Sequence, residues 1–529
     1  MTTDLTIPPS RIFREKIIAG ALEKDDQSKK LENVSDLIGH WSPYHKRLCL
    51  WMIFMYINSP FNNVALVYYA TKADFWCESV AGQKIDPSPT NDCNFNQSNL
   101  CDTWIYNTSR VTLIKEWNLV CDRAYLLSFV LSAYQVGYLF SGLTIGYLSD
   151  KFGRKVGIII CVVLEIVAGF GLSFSPSIYL FIFFRFIHGV GGFGRYLAAL
   201  LILIETVGPE YRGKVVVAFD WVWHFGTILM MPTTYFLESF RHLFLGVTLY
   251  QIFALFLLMI KIPESIRWQL VKQRPDGVQK TLEKFFPINS LGSGKKLEQK
   301  IGKLCNSFAK KTESCGSNNF LAILSNLQLL KCCLSLYGLF IIISFLGYGM
   351  DYYALDLSGN YFWNSALLKI SNIAATAFLT WQVEKHQRKS IILVCSIMLA
   401  ITLFTMIPMI PRQNLIILRD TDWVSAGFFL AIVFSMSYVY ASELFPTTVR
   451  HIAVGSCSTA GRIGSILAPF ITEFIRVTSI SFVSIVMGLL AIIGSLLVLL
   501  LPETKGREMP NTVQEMLKIS SEKKRSSIV

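Results

Sequence analysis

"GYLSDKFGRK" (146–155) and "EKHQRK" (384–389) are short polar turns between long apolar runs, and each carries an acid followed four residues later by Arg-Lys. Asp150, Arg154 and Lys155 in the first match Glu384, Arg388 and Lys389 in the second. Two further signatures recur in the same order. Glu205 stands seven residues before Arg212 in "ETVGPEYR", as Glu443 does before Arg450 in "ELFPTTVR", and Glu264 in "IPES" has its match in Glu503 of "LPET". The offsets are 384 − 150 = 234, 443 − 205 = 238 and 503 − 264 = 239. One near-constant shift of almost half the chain, met three times, predicts two pseudo-symmetric halves in parallel orientation.

What separates these turns is lipid-soluble. Of 529 residues, 52% are hydrophobic and 16% charged, against about 25% charged in a soluble domain. Twelve apolar runs of membrane-spanning length occur, at roughly 47–68, 124–148, 156–174, 177–206, 214–236, 242–262, 329–351, 359–382, 390–409, 422–441, 451–476 and 479–501. They predict an all-α membrane protein of twelve transmembrane helices, six to a half. The chain divides into an N-terminal segment (1–46), a first half (47–262), a central loop (263–328), a second half (329–501) and a tail (502–529). The polar start, with Arg11, Arg14 and Lys16, is unlike a secretory signal. Lys and Arg crowd the N-terminal segment, the two turns, the central loop and the tail, which places these parts and both termini in the cytoplasm of a plasma-membrane protein. The net charge of +13 is mainly this topological bias, with some attraction to anionic lipid, and implies no nucleic-acid partner.

The 69–123 connection then falls outside. It carries Cys77, Cys93, Cys101 and Cys121, two disulfides with three possible pairings, and the glycosylation sequons at Asn96 and Asn107. The other eight cysteines are scattered through spans and cytoplasmic segments as reduced, packing thiols. "LGSGKK" (291–296) lacks the spacing of a phosphate loop, and there is neither a metal-ligand cluster nor a nucleophile elbow. An ATP-driven pump or an enzyme is therefore disfavoured, and no cofactor is implied.

Two six-helix halves in parallel are the plan of the major facilitator fold, with a substrate site between them near the midplane. "GYLSDKFGRKVG" and "RFIHGVGG" (185–192) resemble the loop and fourth-helix signatures of that superfamily. "EWNLVCDRAYL", "PESIRW", "ASELFPTTVRH" and "LPETKGREMPNT" are similar to solute carrier family 22, the organic cation, organic anion and carnitine transporters. The resemblance spans about 40–515, looks like that of an invertebrate organic ion transporter, and implies alternating access by a carrier of small organic ions. Two departures stand out: Gln387 precedes Arg388 where the first half has Gly153, and the outer loop has four cysteines where vertebrate relatives often have six.

Charges inside spans are costly and mark function. Arg462 lies midway along the eleventh span. The resemblance implies an arginine there in anion and carnitine carriers and an aspartate in cation carriers. A guanidinium holds a carboxylate through two parallel hydrogen bonds, which suits an anion or a zwitterion; the plain alternative is an ion pair with Asp220 or Glu165. Asp220 and Trp223 in "FDWVWHFG" offer a carboxylate and aromatic faces to an ammonium group, which leaves an organic cation as the second reading. Lys369, Tyr348 and Asn372 complete the candidate substrate site. Asp150, Arg154, Glu205, Arg212, Glu384, Arg388, Glu443 and Arg450 are candidate gating residues, expected to pair across the half-interface when the cytoplasmic side shuts, or else to cap helix ends. A receptor that binds without translocating is the third class. Enzymatic removal of N-linked glycans is expected to lower the apparent mass of the expressed protein, and Asn96→Gln with Asn107→Gln to remove that shift; an unchanged wild-type mobility would contradict the outer placement of this loop.

Overall fold

The computed structural model describes residues 38–39, 41–71, 74–80, 83–84, 101–285, 297–306, 327–355, 357, 360–382, 385–445 and 450–505. Cys93, Asn96 and Glu384 lie outside these residues, and so do the side chains of Arg212 and Arg450.

The first span is broken. It runs as α1 (Pro43–Tyr56), α2 (Ser59–Asn63) and a 3-10 turn (Ala65–Tyr69). Pro60 has no N–H with which to reach back to the carbonyl of Tyr56, so the helix stops there. Strands β1 (Phe75–Val80), β2 (Gln83–Lys84) and β3 (Cys101–Tyr106) follow, then α3 (Leu113–Trp117). The longer helices of the first half are α4 (Tyr125–Phe152), α5 (Arg154–Phe174), α6 (Ile178–Thr206), α7 (Pro209–Phe236) and α8 (Phe240–Lys261). Two short helices, α9 (Ile266–Val271) and α10 (Pro275–Phe285), come next. The second half comprises α11 (Leu327–Tyr353), α12 (Tyr361–Gln382), α13 (Arg388–Met406), α14 (Ile416–Leu444), α15 (Arg450–Leu467), α16 (Ile471–Val477) and α17 (Ile480–Leu499).

Packing repeats between the halves. In the first, α6 packs on α4 and α5, and α5 on α8; in the second, α14 packs on α12 and α13, and α13 on α17. The halves meet where α4 lies against α15 and α7 against α12. Nine of the described helices are long and apolar enough to cross a membrane. The first, eighth and eleventh spans fall outside that set for a reason visible in their residues. α1 is cut short at the Pro60 break, α12 carries Asn364, Lys369 and Asn372, and α15 carries Arg462 before a 3-10 turn at Ala468–Phe470. Interrupted backbone and polar side chains survive at membrane depth only where protein or a wet cavity receives them.

The 69–123 connection holds a three-stranded antiparallel sheet, ordered β2-β1-β3, among described residues that are otherwise mainly helical. Phe75 stands edge-on to Trp104 with ring centroids 5.4 Å apart, and a Cys77–Cys101 disulfide ties β1 to β3. Cys121 is disulfide-bonded too. Asn107 is exposed just beyond β3.

Glycine sets the closest helix approaches. A Cβ on Gly189 would lie 2.2 Å from the carbonyl oxygen of Tyr134, and one on Gly137 2.2 Å from that of Phe186, so α4 and α6 touch backbone to backbone. Gly464 meets Ile341 of α11 in the same way, at 2.0 Å. Gly189→Ala is expected to cost about 1–3 kcal/mol through forced separation of these helices, seen as a lower unfolding midpoint or poor delivery to the membrane. Gly213→Ala, with nothing within 4 Å of the added Cβ, is the neutral comparison; equal behaviour of the two variants would refute the close-packing account.

Candidate functional site

At the end of the bundle that carries the basic turns, each half contains the same ionic staple. Arg154 bonds Glu205 (Nη2 to Oε1, 3.0 Å) and also pairs with Asp150, while Ser265 donates to the other oxygen of Glu205 at 2.5 Å. Glu264 accepts the backbone N–H groups of Arg154 (2.8 Å) and Lys155 (3.1 Å), so its carboxylate sits on the first turn of α5, where a negative charge is favoured. In the second half Arg388 bonds Glu443 (Nε to Oε1, 3.1 Å), Thr504 donates to Glu443 at 2.7 Å, and Glu503 accepts the N–H groups of Arg388 (3.1 Å) and Lys389 (3.2 Å). Pairing across the interface is expected when the cytoplasmic side is shut; here, among the described residues, these bonds all stay inside one half. The reason is positional: each arginine opens a helix whose immediate neighbour, α6 or α14, ends in the glutamate. Gly153 turns into α5 with φ +120°, a conformation that favours glycine; Gln387 opens α13 with φ −67°, so its side chain is tolerated.

Deeper in the first half, the break in the first span leaves backbone carbonyls that need donors. Arg185 donates to the carbonyls of Asn62 (2.6 Å) and Asn63 (3.3 Å), and lies over the Tyr134 ring at 4.3 Å. Arg195 donates to the carbonyl of Met55 and to the hydroxyl of Ser59 (3.2 Å), and its Nε lies 2.7 Å from Glu165 Oε2. Asn62 completes the group by donating to Glu165 Oε1 at 3.0 Å. Both ionic side chains are sealed from solvent, at 3% and 0% exposure.

Arg462 reaches from α15 across to the first half. Its guanidinium lies 5.0 Å from the ring centre of Tyr138 on α4 and 5.3 Å from that of Phe193 on α6. The phenols of Tyr348 and Tyr438 are within its electrostatic reach. Its Nε is buried without a hydrogen-bond partner, and among the described residues no carboxylate pairs with it. Glu165 is taken by Arg195, and Asp220 lies 3.9 Å from His224, so neither of the two expected partners is its ion-pair partner.

The other candidates make contacts of their own. Tyr348 accepts a bond from Asn63 (3.3 Å), which in turn accepts from Gln135 (3.0 Å). Lys369 pairs with Asp351, both about nine-tenths buried. Asn372 uses its carbonyl to accept from Thr376, whose hydroxyl meets His224 Nε2 at 3.1 Å and so links α12 to α7. Asp220 keeps 45% of its side chain exposed. Trp223 packs towards Tyr56, 6.4 Å between centroids, while Trp221 faces outward. Tyr196 packs on Phe193, whose ring faces Arg462, and on Phe219, the residue before Asp220. Sequence reasoning missed Asn63, Gln135, Tyr138, Phe193, Tyr196 and Tyr438. An aromatic residue inside an apolar helix looks the same whether it faces a charge or lipid, so only the i, i+4 pair Tyr134/Tyr138 offered a signal.

Two six-helix halves of repeated packing, joined along α4/α15 and α7/α12 and holding paired charges at membrane depth, define a membrane transporter of the major facilitator fold. A family model described as "Sugar (and other) transporter" matches residues 87–515, and the chain belongs to that family. It is 27% identical to an organic cation transporter protein of Drosophila melanogaster, over 92% of this chain and 94% of that one. It is 29% identical to organic anion transporter 3 of Oryctolagus cuniculus, over 78% and 76%. It is also 28% identical to solute carrier family 22 member 21 of Mus musculus, over 82% and 76%. In fold it is similar to the xylose transporter XylE of E. coli in a partially occluded inward-open conformation, with a TM-score of 0.63 at 17% identity, covering 88% of this chain and 100% of that one.

Glu165→Gln alone strands the Arg195 charge in the interior and is expected to cost about 3–5 kcal/mol. Adding Arg195→Gln should return part of that loss in a thermal unfolding series; strictly additive losses would show that the two groups do not act as a pair.

Proposed function

We propose that this protein carries small organic ions across the plasma membrane by alternating access, that Arg462 binds the substrate's carboxylate, and that it catalyses no covalent reaction. The observation that carries this reading is a cation buried between the halves with aromatic faces around it and no described carboxylate to neutralise it. Leaving such a charge unmet is expensive. A substrate carboxylate repays that cost through a charge-assisted, two-pronged bond in a site of low dielectric. Anions and zwitterions are both accommodated. Asp220 and the rings of Tyr56, Phe219 and Tyr196 form a second wall suited to an ammonium group, as in carnitine-like compounds or amino-acid derivatives. The names of the relatives, which include organic cation and organic anion transporters, support the substrate class without deciding its charge.

The topology proposed with this function puts both termini and the basic turns in the cytoplasm and the disulfide-bearing connection outside, with Asn96 and Asn107 glycosylated and the halves spanning 47–262 and 329–501. Hydrogen bonds between described residues of the two halves support an arrangement shut on the outer side. Tyr68 bonds Ser365 (2.7 Å), Ser128 and Ser132 bond the carbonyls of Pro469 (3.1 Å) and Ile466 (2.7 Å), and Arg476 bonds that of Cys121 (2.9 Å). The staples of Arg154 and Arg388 then act as gating elements by holding each half rigid while the halves rock.

Carnitine and choline share a quaternary ammonium group and differ in the carboxylate, so they make a matched pair. Arg462→Asp is expected to reduce carnitine uptake into vesicles by at least about tenfold, the worth of one charged hydrogen bond, with surface expression intact. Asp220→Asn should weaken carnitine without affecting a simple monocarboxylate. Uptake of choline alone, lost in Asp220→Asn and indifferent to Arg462→Asp, would establish the cation reading. Carnitine-dependent stabilisation with no uptake of either compound would indicate a receptor.

A further inference from the structure

We infer that Asp351 sets the charge selectivity of this site: by neutralising Lys369 inside the interface it restricts the substrate to a single negative group there, and doubly charged carboxylates are rejected. The inference rests on the assignment of Arg462 as the carboxylate anchor.

Lys369 and Asp351 lie on adjacent helices, α12 and α11, and form an ion pair with side chains only 11% and 10% exposed. The pair faces the substrate region rather than lipid. Asp351 is one helical turn beyond Tyr348, whose phenol accepts from Asn63 of the first span; Asn63 in turn accepts from Gln135 on α4, the helix whose Tyr138 ring faces Arg462. Ser365, one turn before Lys369, bonds Tyr68 of the first span, and Thr376 on the same helix bonds His224 on α7, the neighbour of Asp220. Two cations therefore border one space, Arg462 and Lys369, and a compact dianion would suit both if both were free. Only Arg462 is without a carboxylate among the described residues. Glu165 and Arg195 cancel within the first half, and the two Nη groups of Arg185 are capped by carbonyls.

Electrostatics turns this arrangement into discrimination. A monocarboxylate on Arg462 neutralises that cation, while Asp351 already neutralises Lys369. A second carboxylate would be stripped of water beside Asp351 and Asp220, with its one possible cation already occupied. Specificity then comes from a repulsive element built against the wrong ligand rather than from an extra contact to the right one. Lys369 is read here as silent towards substrate, and Asp351 as the residue that silences it.

Glutarate and monomethyl glutarate have nearly the same shape and differ by one charge. Labelled uptake into vesicles holding the full-length protein is expected to favour the half-ester. Asp351→Asn should move the ratio towards glutarate by about tenfold, since the freed ammonium can take the second carboxylate. The double variant Asp351→Asn/Lys369→Gln replaces the ions with a neutral hydrogen-bonding pair and should keep the preference for the half-ester, which provides the decisive arm if the single variant fails to reach the membrane. Wild-type uptake that is equal for the two ions, or a double variant that loses half-ester uptake more than about tenfold, overturns the inference. Loss of half-ester uptake in Arg462→Gln, with an unchanged ratio in Asp351→Asn, overturns the role of Asp351 and leaves the anchor standing. Half-ester uptake indifferent to Arg462→Gln, or wild-type uptake of neither ion, overturns the anchor and the inference together.

Discussion

A broken helix at membrane depth needs donors for its stranded carbonyls, and the first half is arranged around that need. Pro60 interrupts the first span, and Arg185 and Arg195 reach over from α6 to bond the carbonyls of Met55, Asn62 and Asn63. Two guanidinium charges in the interior demand compensation in turn. Glu165 on α5 supplies it for one, and the rings of Tyr134 and Phe244 surround the other. The pair formed by Glu165 and Arg195 thus joins three spans in one unit that polar satisfaction keeps from sliding. The close glycine contacts between α4 and α6 bring the helices near enough for these side chains to reach.

Paired and unpaired charge divide the protein into scaffold and site. At one end of the bundle the ionic staples repeat in both halves, and among the described residues their bonds stay within each half. Near the middle, Glu165 with Arg195 and Asp351 with Lys369 are closed pairs. Arg462 projects from one half onto the aromatic rings of the other with no described carboxylate. An arginine against aromatic faces keeps its charge partly stabilised, which suits the proposed role of a group that accepts and releases an anion.

The duplicated charges made the architecture legible because membrane insertion and helix-end chemistry both act on sequence-local features: run length, flanking Lys and Arg, and an acid at a fixed distance from a base. The same locality explains where that reading stopped. It offered Asp220 or Glu165 as the alternative partner of Arg462 and left open which charges neutralise which, because residue type gives a charge its sign without its neighbours. It passed over Tyr138, Phe193 and Tyr438, since a ring facing a guanidinium and a ring facing lipid occupy the same apolar pattern. The strands of the outer connection were likewise hidden in a segment read only through its cysteines and sequons.

What the sequence by itself determined is the number of the spans, the two-fold repeat, and the presence of an arginine in the eleventh span that lipid alone could not accommodate. Tertiary structure decided which charges cancel. Ion pairing depends on distances of a few ångströms between residues up to hundreds of positions apart, and only the packing of α5 on α6 and of α11 near α12 brings Glu165 to Arg195 and Asp351 to Lys369. The same packing leaves Arg462 against the rings of Tyr138 and Phe193 in the other half, and the proposed role as substrate anchor rests on that placement.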